Sequence, residues 1–134
     1  MAPHGAIFKF MCGIAGTYGL RTKNSTIKYL RAIRHRGPDE GPSIAAKKSA
    51  VLGSVRLSIV DVKYGQQPMV DQKTGNILVQ NGEIYNHALL KNELQKSGIK
   101  FETDCDSEVL LKGFTHFGPK FVEKLNGIFC GSFL

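Results

Sequence analysis

No stretch of this sequence stays apolar for long enough to cross a bilayer. The first ten residues also lack the apolar core and small-residue cleavage site of a secretory signal. Neither a membrane partner nor export is therefore expected, and a cytoplasmic, reducing setting is the default. Cysteine is scarce. Cys12, Cys105 and Cys130 are odd in number, far apart and without C-x-x-C spacing, which argues against both a disulfide framework and a zinc site. His4, His35, His87 and His116 show no ligand spacing either, so no metal is expected. Basic residues are in excess, with a net charge of +7, yet no dense Lys/Arg cluster appears. Aromatics are not interleaved with the basic residues as in RNA-binding modules. A solvated basic surface is the expectation, with no nucleic-acid partner. Repeats, low-complexity tracts and linkers are absent as well. A chain of 134 residues with 42% hydrophobic and 22% charged content fits one globular domain with one core.

What is present is a mixture of strand and helix signals. Residues 12–19 read as a strand of small residues. Ser25 can cap a helix whose apolar positions are Ile27, Leu30 and Ile33, ended by Gly37-Pro38. Residues 50–55 and 56–62 are rich in Val, Leu and Ile and read as strands. Ile77 to Gln80 reads as another, followed by Asn81-Gly82, a strong turn signal. Asn86 can cap a helix through Leu89, Leu90 and Leu94 that stops at Gly98. Asp106 to Phe117 reads as a helix stopped by Gly118-Pro119, and a short helix starts from Pro119. Ile128 to Leu134 reads as a final strand. Without clean strand–helix alternation, this pattern gives an α+β or layered α/β fold.

Several side chains carry possible chemistry. Cys12 taken alone reads as a small buried hydrophobe. If Met11 and everything before it were removed, the α-amine of Cys12, with an ordinary pKa of about 7.7–8.0, would be a base beside its own thiol. Asn81 and Gly82 can be a hairpin turn. They can equally supply a side-chain amide and a backbone N–H to a developing oxyanion. Arg56, in an apolar segment, suits bidentate capture of a carboxylate. Asp106 looks like a helix N-cap, and its carboxylate can also face an ammonium. Arg56 and Asp106 together match the two charged ends of an α-amino acid. The Arg34-His35-Arg36-Gly37-Pro38-Asp39-Glu40 segment reads as a loop with no catalytic logic of its own.

Taken in order, Met-Cys-Gly-Ile-Ala-Gly, Arg-His-Arg-Gly-Pro-Asp-Glu, Arg-Leu-Ser-Ile-Val-Asp, Gly-Gln-Gln-Pro-Met, Asn-Gly-Glu-Ile-Tyr-Asn-His and Asp-Ser-Glu-Val resemble the class II glutamine amidotransferase domain, in the branch found at the front of asparagine synthetases. The resemblance runs from Met11 to the last residue. It implies an N-terminal nucleophile hydrolase fold, a four-layer αββα sandwich, here without the family's further C-terminal strands. Residues 1–11 would be an N-terminal extension and 12–134 a partial amidotransferase domain. The implied reaction is hydrolysis of L-glutamine to glutamate and ammonia through a Cys12 thioester. Asn81 and Gly82 would form the oxyanion hole. Arg56, the backbone of Ile59 and Val60, Glu83 and Asp106 would hold the substrate. No cofactor or metal is implied. Expected partners are glutamine, with a synthetase domain or a second copy of the chain. The competing expectations are a catalytically silent fragment or regulatory remnant, and a basic binding module.

Overall fold

A computed structural model describes residues 12–19, 22–38, 41–56 and 65–134. Within these, two three-stranded antiparallel sheets stack between helices. In chain order the elements are β1 (Gly13–Tyr18), α1 (Thr22–Ala32), a 3-10 turn (Arg34–Arg36), β2 (Ser43–Lys47) and β3 (Ala50–Val55). They continue with β4 (Met69–Val70), β5 (Ile77–Ile84), α2 (His87–Lys96), α3 (Asp106–Phe117), a 3-10 helix (Gly118–Lys124) and β6 (Gly127–Phe133). The first sheet has the order β1-β3-β2 and the second β4-β5-β6. Helix α1 packs on the first sheet, α3 packs on the second with α2 beside it, and β5 lies against β1, β2 and β3. The layers therefore run helix, sheet, sheet, helices, as the α+β sandwich expectation requires.

Side-chain alternation sorts the core. Along β5, Leu78 and Ile84 join Leu90, Leu94, Val109, Leu110, Leu111 and Phe121 beneath α2 and α3. Ile77 and Val79 point the other way and meet Leu52 between the sheets. Period-two alternation on one strand thus serves two layers. On the opposite side, Leu30 of α1 is fully buried. It packs over Gly53, where an added Cβ would sit 2.5 Å from the leucine Cδ1.

Three local expectations are corrected. Asn81-Gly82 makes no turn: both lie inside β5, paired with Cys130 and Phe129 of β6. Seven residue pairs join the two strands, from Leu78–Phe133 to Ile84–Gly127, and this ladder overrides a two-residue turn preference. Helix α1 starts at Thr22 rather than at a Ser25 cap; the Thr22 carbonyl accepts from the hydroxyls of Thr17 and Thr26, each at 2.9 Å. Cys105, not Asp106, holds the N-cap position of α3. Asn86 does precede α2, but its side chain makes no cap bond. It donates to the Lys124 carbonyl at 2.8 Å and accepts from the Asn126 amide at 2.9 Å, a tertiary tie to the entry of β6. Strands β2 and β4 carried no readable signal. The expected strand at 56–62 lies, beyond Arg56, outside the described residues.

Candidate functional site

The pairing of β1 with β3 decides where Cys12 sits. Gly13 pairs with Val55, so one further step of the antiparallel register sets Cys12 opposite Arg56. Both continue the parity of Ile14 and Leu52, the face turned toward the second sheet. Cys12 is half-buried and Arg56 is only 8% exposed. The loop before β2 explains how the arginine is held. An added Cβ on Gly37 would lie 2.4 Å from the Val55 carbonyl carbon and 2.5 Å from the Arg56 nitrogen. The Arg-His-Arg-Gly-Pro segment thus buttresses the backbone that presents Arg56, and only glycine permits that approach.

Across the gap, Asn81 shares the parity of Ile77 and Val79, so its side chain turns toward the first sheet. Gly82 follows with φ +124°, and an added Cβ would lie 2.0 Å from the Ile128 carbonyl oxygen. No side chain fits there, and the positive φ takes this peptide out of regular pleat. Asp106, the first residue of α3, accepts a 3.0 Å hydrogen bond from the Ile84 amide through Oδ2. This fixes the carboxylate against the end of β5. Glu83 is exposed and makes no side-chain hydrogen bond among the described residues. Ile59 and Val60 lie outside the described residues.

One residue ties the two sheets together at this end. The Gln67 carbonyl accepts from Ser54 Oγ at 2.9 Å, and Gln67 Oε1 accepts from the Gln80 amide at 2.7 Å. Gln80 Nε2 donates to Ser107 Oγ at 2.8 Å, and Gln67 Nε2 reaches the same hydroxyl at 3.5 Å. Ser54 lies two residues before Arg56, Gln80 directly before Asn81, and Ser107 directly after Asp106. Arg56, Asn81 and Asp106 are thereby brought to one end of the sandwich. Ser54, Gln80 and Ser107 are all buried. Sequence reading passed over them, although a Gln immediately before Pro in Gly65-Gln66-Gln67-Pro68-Met69 was a usable signal.

The loop leading into α3 is set by a second buried group. Glu108 accepts from the Glu102 amide at 2.9 Å, the Thr103 amide at 2.7 Å and the Thr103 hydroxyl at 2.6 Å. Burial pushes this carboxyl up, but those bonds and Lys112 outweigh it and hold it below its ordinary value. Beyond Cys12 along β1, a cleft of about 440 Å³ opens between the sheets, lined by Ile14, Thr17, Leu52, Val79 and Leu134 among others. Among the described residues, no group of three or more His, Cys, Asp or Glu side chains could hold a metal ion. No described helix is long and apolar enough to cross a membrane.

Comparison with known proteins finds a family and relatives for the chain. Residues 11–132 match the family model described as a glutamine amidotransferase domain. The chain is 40% identical over 124 residues to asparagine synthetase B [glutamine-hydrolyzing] of Escherichia coli, covering 89% of this chain and 22% of that protein. It is 37% identical over 124 residues to asparagine synthetase [glutamine-hydrolyzing] 2 of Oryza sativa, covering 89% of this chain and 20% of that protein. Among solved structures, glutamine phosphoribosylpyrophosphate amidotransferase from B. subtilis superposes with a TM-score of 0.69 at 23% identity, over 92% of this chain and 34% of that one. The chain thus spans about a fifth of the length of the curated relatives it matches.

Proposed function

Because the chain belongs to the glutamine amidotransferase domain family, we propose that it hydrolyses the side-chain amide of L-glutamine, with Cys12 as nucleophile. The observation that carries this reading is the register that sets Cys12 opposite a buried Arg56 on the face turned toward Asn81. In the proposed reaction the α-amine of Cys12 takes the thiol proton, and Sγ attacks the amide carbon. The oxyanion is met by the Asn81 side-chain amide and the Gly82 N–H. A donor of this kind contributes roughly 2.7–4 kcal/mol to the transition state. Collapse breaks the C–N bond; the Cys12 ammonium returns a proton, ammonia leaves and a glutamyl thioester remains. Water then attacks the thioester carbonyl, releasing glutamate and restoring the thiol. Arg56 holds the substrate α-carboxylate, and Asp106 holds the α-ammonium with the oxygen not given to Ile84. Glu83 and the backbone of Ile59 and Val60 complete the binding set. No cofactor enters this chemistry.

The mechanism needs a free amine on Cys12, and the family match begins one residue before it, at residue 11. We infer that residues 1–11 lie outside the catalytic domain and that the active form begins at Cys12. The matched relatives are named as glutamine-hydrolysing asparagine synthetases. We therefore assign the ammonia to a synthetase unit that acts as partner, and place both in the cytoplasm, where a reducing setting keeps a nucleophilic thiol from oxidation.

The test measures ammonia release from glutamine by three forms: the full chain, the chain cleaved to begin at Cys12, and the cleaved chain with Cys12→Ala. Activity is expected in the second alone. Equal rates from the full and cleaved chains would defeat the α-amine mechanism.

A further inference from the structure

The Gly65-Gln66-Gln67-Pro68-Met69 segment takes no part in the chemistry above, yet Gln67 is bonded to β3, β5 and α3, the elements that lead to Arg56, Asn81 and Asp106. Met69 pairs with Leu78. Continuing that register would place Pro68 opposite Val79 and Gln67 opposite Gln80. Strand β4 does not continue as a ladder: at that register the Gln67 carbonyl would take the Gln80 backbone amide, but it accepts from Ser54 Oγ instead. The Gln80 backbone amide is thereby left without a strand partner in a buried setting, where an unmet donor is costly. Instead, Gln67 Oε1 takes that amide at 2.7 Å, so a side chain replaces the missing ladder bond. The same residue holds the first sheet through its main-chain carbonyl, which accepts from Ser54 Oγ at 2.9 Å. The Gln80 side chain extends the bridge to Ser107 on α3 at 2.8 Å.

Resting on the glutaminase reading above, we propose that Gln67 is a positioning residue that sets where β5 holds Asn81 and Gly82 relative to Cys12 and Arg56. Its two halves do separable work. The main-chain carbonyl, which any residue supplies, ties β3 and hence Arg56. The side-chain amide ties the strand position immediately before the oxyanion donors. Removing only the side-chain amide should therefore move the donors and leave the carboxylate clamp in place. A misplacement of about 1 Å in such a site can cost on the order of 10²-fold in rate, so kcat is the sensitive quantity and KM is not.

The variant is Gln67→Met, which keeps length and loses hydrogen bonding. Gln66→Met makes the same change at the exposed neighbour and serves as control. Backbone amide NMR on the full chain gives a readout independent of activity. In Gln67→Met the Gln80 amide should exchange with solvent about tenfold faster and the Asn81 and Gly82 signals should shift, while β2 amides stay put. In the form cleaved to begin at Cys12, kcat should fall about tenfold or more with KM within about threefold. Ser107→Ala combined with Gln67→Met should cost less than the sum of the two single changes. If the Asn81 and Gly82 signals stay where they are, or kcat stays at the control's value, the proposal is overturned. If the unmutated cleaved chain releases no ammonia, the glutaminase reading fails instead, and the amide signals alone decide whether Gln67 sets the position of β5.

Discussion

Strand β5 separates two layers of different character. The layer beneath α2 and α3 is deep and apolar, with Leu78, Ile84, Leu90, Leu94, Val109, Leu110, Leu111 and Phe121 all buried. Among the described residues, the one buried apolar residue that meets Ile77 and Val79 across the other layer is Leu52. Toward Arg56 and Asn81 that layer turns polar, and toward Tyr18 it opens into the cleft. The contrast separates duties. The helix side fixes β5 in place by burial, which leaves the sheet–sheet side free to carry polar groups and empty volume, features that would weaken a sole core.

The largest effect should come from damaging the helix layer. Leu110→Ala is expected to cost about 2–5 kcal/mol. Leu52→Ala, at the thin layer beside the cleft, should fall at or below the low end of that range, because its cavity joins existing open space. Urea denaturation of both variants checks the ordering, and equal losses would erase the distinction between the layers.

A smaller effect, specific to the helix side, concerns Glu108. Its carboxyl is held below the ordinary value of 4.5, so the native state binds its proton less readily than the unfolded chain. The stability this contributes is present above about pH 4.5 and is lost as pH falls through the lower, native value. Glu108→Gln should therefore be less stable than the parent at neutral pH, with the gap closing in acid. Thermal melts from pH 7 to pH 3 would reveal it, and a gap that stays constant with pH would remove the charge from the explanation.

The smallest effect belongs to the surface. Lys124 pairs with Glu93 at 2.8 Å, both more than half exposed. Lys124→Ala should leave the melting temperature unchanged, since exposed ion pairs contribute little and the Lys124 carbonyl that receives Asn86 is main chain. A clear drop would mean that the 3-10 helix after α3 depends on this pair.

Much of the helix layer was legible in the sequence. The run from Asp106 to Phe117 is apolar at helical spacing and bounded by Gly118-Pro119, and the apolar run from Ile128 formed a strand as expected. Where partners lie far along the chain, local signals misled. Asn81-Gly82 is turn chemistry in isolation, and only β6 holds it straight. The Ser-Ile-Ala-Ala-Lys of β2 is weak strand material that forms because β3 pairs with it. The site residues were named by motif resemblance, not by geometry. What sequence could not supply was their assembly. That depends on the register of β1 against β3 and on a Gln67 side chain that takes the Gln80 amide while the Gln67 carbonyl is turned to Ser54.

The pairing of Asn81 with Cys130 has an experimental use. Directly opposed residues project from the same face of a sheet, and Cys130 is exposed. The molecule therefore carries its own attachment point for a fluorophore or spin label, one strand away from the candidate oxyanion donor. In a Cys12→Ala background, a label there would register ligand arrival at the site without requiring turnover.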